Sequence, residues 1–222
     1  MKEVILDTET TGLFVRDGHR IVEIGCIEMD NLVPTRNRFH CYLNPGRKVS
    51  EKALEVHGYT DEFLSTKKKF SEVVDEFLNF IENKRLVIHN AEFDLSHLNN
   101  ELALLGKKKL DNENTVDTLS LARDKFPGSS TSLDALCRRY QVDNSKRTQH
   151  TALIDCDLLA KVYINLLGQK EPTLNFKNEE SEKMISNTKD INQYYKKIIK
   201  PSEEELKLHK EYLKNSLKKN FF

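Results

Sequence analysis

The apolar positions of this chain change their period several times, and each change predicts an element. Val4-Ile5-Leu6 is a short apolar run that turns polar at Asp7 and Glu9, as a buried strand with a polar end would. Ile21 to Met29 (IVEIGCIEM) alternates like a strand, and Arg38 to Leu43 reads as a third. Turn residues at Asp17-Gly18 and Asn31 to Pro34 separate these runs, which predicts an antiparallel meander. From Phe70 to Ile81 the spacing becomes three and four: Phe70, Val73, Val74, Phe77, Leu78 and Ile81 share one face of an amphipathic helix. Leu86-Val87-Ile88 predicts a strand, Leu95 to Leu105 a helix ended by Gly106, and Thr115 to Asp117 a short last strand. Further helices are expected near 118–125, 132–140 and 152–167. A meander followed by alternating helices and strands implies a mixed sheet covered by helices, an α/β or α+β domain.

The pattern fades past Gly168, the last glycine, and Pro172. From Thr173 onward there are 11 Lys and no Arg against 8 acids, +3, which leaves −3 for residues 1–172 and marks a boundary near 168–172. Residues 1–170 are therefore expected to form one domain, 171–190 a solvated linker, and 191–222 a separate tail. Within that tail Pro201-Ser202-Glu203-Glu204-Glu205 predicts a helix start, with a hydroxyl cap and acids in the first turn. Leu206, Leu208, Leu213 and Leu217 then give an apolar stripe with nothing of its own to bury against.

Composition narrows the function classes. A chain of 222 residues can bury a core without disulfide staples, and its four cysteines (26, 41, 137 and 156) show neither a C-x-x-C pair nor zinc spacing. Reduced thiols and a cytoplasmic protein are expected. No apolar run is long enough to cross a bilayer, and with Met1-Lys2-Glu3 leading straight into the first strand no signal peptide is expected. A net charge of zero excludes a protein that holds nucleic acid by bulk electrostatics alone.

Chemistry enters with the carboxylates. Asp7 and Glu9 leave the same face of one strand. Asp94 follows in His89-Asn90-Ala91-Glu92-Phe93-Asp94, between a strand and a helix. His150 lies in the polar approach to another helix, with Asp155 in its first turns. Each feature alone has a bland reading: a polar strand end, a helix cap, a surface histidine. Together, in this order and at these separations, they resemble the motifs of the DEDDh 3′→5′ exonucleases. Asp-Thr-Glu-Thr-Thr-Gly at 7–12 and His-Asn-Ala-x-Phe-Asp at 89–94 resemble that family in the loops as well. Val22-Glu23-Ile24-Gly25, Val56-His57-Gly58, Phe126-Pro127-Gly128, Ser132 to Cys137 and Asp143 to Thr148 are similar to the proofreading ε subunits of bacterial DNA polymerase III.

The resemblance implies a ribonuclease-H-like five-stranded sheet, three strands antiparallel and two parallel to the first, flanked by helices. It also implies two divalent cations, Mg2+ or Mn2+, which suits a thiol-free, oxygen-rich site. Asp7 would bridge both ions, Glu9 and Asp155 would complete the water-activating site, and Asp94 would hold the second. His150 would be the general base. The substrate is then a DNA 3′ end. Besides Asp7, Glu9 and Asp155, the residues implied to touch it are Thr10, Thr11 and His57. The family carries a glutamate five residues before that histidine; here the position is Lys52, with Glu51 beside it. His19, His40, His97 and His209 are expected on the surface or in packing, and His89 in a structural role.

Partners implied by the resemblance are the polymerase catalytic subunit, through 191–222, a sliding clamp, and a small accessory subunit. Leu174 and Phe176 match the apolar anchors of a clamp-binding peptide, although its leading glutamine is Glu171. An exposed Leu-x-Phe could equally pack back on the domain. Two other readings stay open: a free-standing exonuclease for RNA trimming or repair, and an idle subunit that only stabilises a polymerase. The linker and terminal helix favour the polymerase reading over the first, and the five intact catalytic positions count against the second.

Overall fold

The computed structural model describes residues 2–145, 147, 149–168 and 201–216. Five strands, β1 (Lys2–Thr10), β2 (Ile21–Asp30), β3 (Val33–Tyr42), β4 (Arg85–Ile88) and β5 (Thr115–Asp117), form one sheet in the order β3-β2-β1-β4-β5. The meander β1–β2–β3 is antiparallel, whereas β4 runs parallel to both β1 and β5. The helices are α1 (Glu51–His57), α2 (Asp61–Ser65), α3 (Phe70–Ile81), α4 (Ala91–Leu104), α5 (Thr118–Lys125), α6 (Leu133–Tyr140), α7 (Ala152–Leu166) and α8 (Glu203–Ser216).

The sheet carries apolar residues on both faces. Val4 and Leu6 of β1 face Phe77 of α3 and Leu98 of α4, whereas Ile5 joins Leu136 of α6 and Leu159 of α7. By the same alternation Asp7 and Glu9 leave β1 on the α7 side. Helix α3 spans the residues its sequence pattern marks, burying Phe70, Val73, Val74, Phe77 and Ile81 and leaving Leu78 partly buried at the margin of that face. Each such side chain contributes about 1.5–3 kcal/mol of transfer free energy. All four cysteines are free thiols, three of them buried.

The turn before β3 is tighter than its sequence suggests, so the strand starts at Val33 rather than at Arg38. Asn31 and Leu32 both adopt positive φ (50° and 66°) and close a two-residue hairpin. Pro34 thus lies inside a strand, where it is tolerated because β3 is an edge strand with a register shift nearby. Helix α4 begins four residues earlier than Leu95, so Asp94 sits within its first turn. Neither α1 nor α2 follows from apolar periodicity; both are short and rest on hydroxyl caps, Ser50 and Thr60.

The chain divides into two units, Met1–Asn175 and Phe176–Phe222. The expected linker, the Leu174 and Phe176 anchors and residues 191–200 of the tail lie outside the described residues. In the second unit, α8 starts on a capping box. The Ser202 hydroxyl accepts the Glu205 N–H at 3.2 Å, and the Glu205 carboxylate accepts the Ser202 N–H at 2.8 Å. Leu206, Leu208 and Tyr212 are exposed on it. Among the described residues no helix is long and apolar enough to cross a membrane.

Candidate active site

Three elements deliver the carboxylates to the polar ends of β1 and β4. Asp7 and Glu9 come from β1. Asp94 comes from the first turn of α4 and is fixed by Thr8, whose N–H and hydroxyl both donate to its Oδ1 at 2.9 and 2.7 Å. The turn into α4 is held by Asp117, whose Oδ1 accepts the Asn90 N–H at 3.0 Å while Asn90 adopts positive φ. Asp155 comes from the first turn of α7.

Crowding and burial govern their protonation. Burial first, then the neighbouring Asp94, Glu9 and Asp155 charges, hold the Asp7 carboxyl well above the usual carboxylate range. Glu9 is pushed up to about 8, again by burial first and then by Asp155, Glu23 and Asp94. Burial raises Asp94 to about 7 against the pull of its Thr8 hydrogen bonds. Asp155 is the exception. Burial would raise it, but hydrogen bonds from His150 and Arg147 outweigh that and hold it below its ordinary value.

Arg147 is a residue that sequence reasoning passed over. Its Nε and Nη2 reach the two Asp155 oxygens at 2.6 and 2.7 Å, and Nη1 reaches Asp134 on α6 at 2.7 Å. Nη2 also lies 2.8 Å from His150 Nδ1, which is 3.4 Å from Asp155 Oδ2. A neutral imidazole that accepts from Arg147 at Nδ1 keeps its proton on Nε2. One that donates from Nδ1 to Asp155 has Nε2 free to take a proton. A basic residue three positions before His150 was the available signal.

Glu9, His150 and Asp155 offer ligand atoms that all lie within 4.8 Å of one another. Asp7 and Asp94 adjoin that group: the Glu9 and Asp155 charges raise Asp7, and the Asp94 charge raises Glu9. Carboxylates that repel one another at this density, with no thiol among them, fit hard divalent cations.

Beside the carboxylates lies a cavity of about 540 Å³ walled by Glu9, Thr10, Leu13, Lys52, His57 and Phe93, among others. His57 is buried, and its tautomer is set. Nδ1 accepts the Tyr59 N–H at 3.0 Å, so Nε2 carries the proton and donates to Thr10 O at 3.2 Å. Burial lowers the acidity range of that imidazole, which favours its neutral form. Thr10 spends its hydroxyl on Gly12 O at 2.8 Å. Thr11 is fully buried and is not among the cavity walls; its hydroxyl meets His19 Nδ1 at 3.0 Å and accepts the Arg20 N–H at 3.1 Å. His19, expected to be a bystander, covers Gly12 so closely that an added Cβ would lie 2.3 Å from its ring, and it lines the cavity. His89 is structural: it meets the Thr118 hydroxyl at 3.0 Å at the end of β4.

The exonuclease family model matches residues 4–163 of the chain. The chain belongs to the exonuclease family. It is 49% identical over 226 residues to the DNA polymerase III subunit epsilon of Rickettsia conorii, covering 98% of this chain and 97% of that one. Identity to the protein of the same name from Salmonella typhimurium is 44%, covering 96% and 92%. Among solved structures, exonuclease X in complex with 5′ overhanging duplex DNA shares 25% identity at a TM-score of 0.59, covering 74% of this chain and 90% of that one. The nuclease domain of 3′hExo, a DEDDh family member, superposes at a TM-score of 0.65 with 18% identity, covering 75% and 92%, which shows the common fold. Family and relatives together make this chain a metal-dependent 3′→5′ exonuclease of the epsilon kind.

Proposed function

We propose that the chain is the editing subunit of a replicative DNA polymerase and removes the 3′-terminal nucleotide by two-metal hydrolysis at Asp7, Glu9, Asp94 and Asp155. The observation that carries this reading is the convergence of four carboxylates from β1, α4 and α7 beside a nucleotide-sized cavity that shares Glu9 with them. Asp7, Glu9 and Asp155 would hold one cation and Asp7 and Asp94 the other, Mg2+ or Mn2+. When bound, such a pair supplies Lewis-acid stabilisation of the phosphoryl charge and acidifies the attacking water. His150 would take the water's proton at Nε2 once its Nδ1 gives up the Arg147 hydrogen bond at 2.8 Å and donates instead to Asp155, 3.4 Å away. Thr10, His57 and Phe93 line the space for the terminal nucleotide, and Lys52 brings a positive charge to its wall. The buried Thr11 acts by bracing the loop against His19 and Arg20 rather than by touching substrate.

Residues 191–222 would tether the nuclease to the polymerase catalytic subunit, with the exposed Leu206, Leu208 and Tyr212 of α8 among the anchors. A tether makes intrinsically weak DNA affinity sufficient, because it keeps the primer end at high local concentration. Residues 171–176 would add a sliding-clamp contact, and the nuclease domain would carry any small accessory subunit. The test is release of nucleotides from a mispaired DNA 3′ end in Mg2+, with Asp7→Ala as the control. The proposal expects wild-type release and none from a folded Asp7→Ala protein. Substantial release by that variant, or a preference for RNA ends, would overturn it.

A further inference from the structure

Helix α7 does not merely lie on the sheet; its first turn is seated in a socket on β2. Glu23 and Gly25 stand directly opposite Glu9 and Asp7 in the β1–β2 register, so all four positions share one face. At Gly25 an added Cβ would lie 2.6 Å from the Ala152 carbonyl carbon and 2.7 Å from Leu153 N. The missing side chain is what lets the α7 backbone approach. One position along the same face, Glu23 is completely buried, and its Oε2 accepts the Ala152 N–H at 2.9 Å. That N–H is one of the four that a helix start leaves without an internal partner. Thr151, at the cap position, makes no side-chain bond to α7, so Glu23 supplies from another strand what a capping residue normally supplies locally.

The same carboxylate reaches the other half of the site. Glu23 Oε2 also accepts the Tyr59 hydroxyl at 2.8 Å, and Oε1 lies 2.7 Å from His40 Nε2 on β3. The Tyr59 ring stacks on His57 at 4.8 Å between centroids, and its N–H sets the His57 tautomer. One side chain therefore ties the helix bearing Asp155 to the turn that carries the cavity wall.

We propose that Glu23 is a positioning residue: it places Asp155 for metal binding by anchoring Ala152, and keeps α7 in register with the His57–Tyr59 turn. This rests on the reading of Asp155 as a metal ligand. Reach is what the Ala152 contact requires; the Glu23 charge itself adds to the repulsion on Asp7 and Glu9. Glu23→Gln retains an oxygen that can accept both Ala152 N–H and Tyr59 OH, whereas Glu23→Asp retains the charge but withdraws it by one methylene. Outer-shell groups that orient ligands are typically worth about 10–100-fold in metal affinity.

The experiment titrates the full chain with Mn2+ alone and follows amide exchange across residues 152–156, comparing Glu23→Asp, Glu23→Gln and Asp155→Ala, each checked for folding by its melting curve. Glu23→Asp should weaken Mn2+ about tenfold or more and speed exchange at the α7 start. Glu23→Gln should stay close to wild type in both. Wild-type Mn2+ affinity in Glu23→Asp, or an equal loss in Glu23→Gln, overturns the positioning role while Asp155→Ala still loses metal. If Asp155→Ala binds Mn2+ normally, the ligand assignment itself fails, and this inference falls with it.

Discussion

Neutralising Glu9 should make the metal-free protein more stable and remove most of its response to metal. The folded state holds this carboxyl at about 8 instead of its ordinary 4.5. A raised carboxyl means that the folded chain keeps a proton which the unfolded chain gives up. The stability it confers is therefore complete below about 4.5 and is lost as pH rises through about 8. At about 1.4 kcal/mol per tenfold change in acidity, that interval corresponds to roughly 5 kcal/mol. The strain is shared with Asp7 and Asp94, so removing Glu9's charge alone should return about half, roughly 2–3 kcal/mol at alkaline pH. For a chain of this size that is a rise in Tm of roughly 5–10 °C. The assay is thermal melting of wild type and Glu9→Gln between pH 5 and 9 in chelator, then in excess Mg2+. In chelator the variant should melt higher at pH 8.5 and lose part of the wild-type decline with pH. In Mg2+ the gap should close, since wild type gains about 2.7 kcal/mol at a hundredfold excess over Kd, about as much as the variant's advantage in chelator, and the variant forfeits most of that gain. A chelated variant that melts below wild type at pH 8.5, or follows the same decline, would refute the account of repelling carboxylates.

His150→Ala should slow cleavage about 10²–10⁴-fold while Mn2+ binding persists, and its rate–pH profile should lose the acidic limb that an ionising base produces; full rate with the same limb would identify another base. Gly25→Ala inserts a methyl against the Ala152 backbone, and should cost about 1–3 kcal/mol in denaturant unfolding together with weakened Mn2+ binding. Unchanged stability would mean that α7 does not press on β2. Removing residues 191–222 should leave hydrolysis of short single strands near wild type but abolish co-purification with the polymerase catalytic subunit. Stable association after the deletion would place the contact elsewhere.

What could be read from the sequence was local or was carried by spacing. The Phe70 to Ile81 stripe specified α3 in full, because a helix face that buries five side chains has one period. Asp7 and Glu9 two apart on a strand, Asp94 after a strand, and His150 before Asp155 marked the chemistry, since each lies toward the end of a strand or in the first turn or approach of a helix. The partners of those groups were not readable. Arg147 on Asp155, Asp117 on the α4 turn, and Glu23 on Ala152 join residues whose sequence separations carry no period. The last of these pairings is decided only when the β1–β2 register sets Glu23 against Glu9 and Gly25 against Asp7. The protonation of the site was decided there too. A carboxylate's acidity depends on burial and on which other charges lie within a few ångströms, and those are distances through space that the order of residues does not contain.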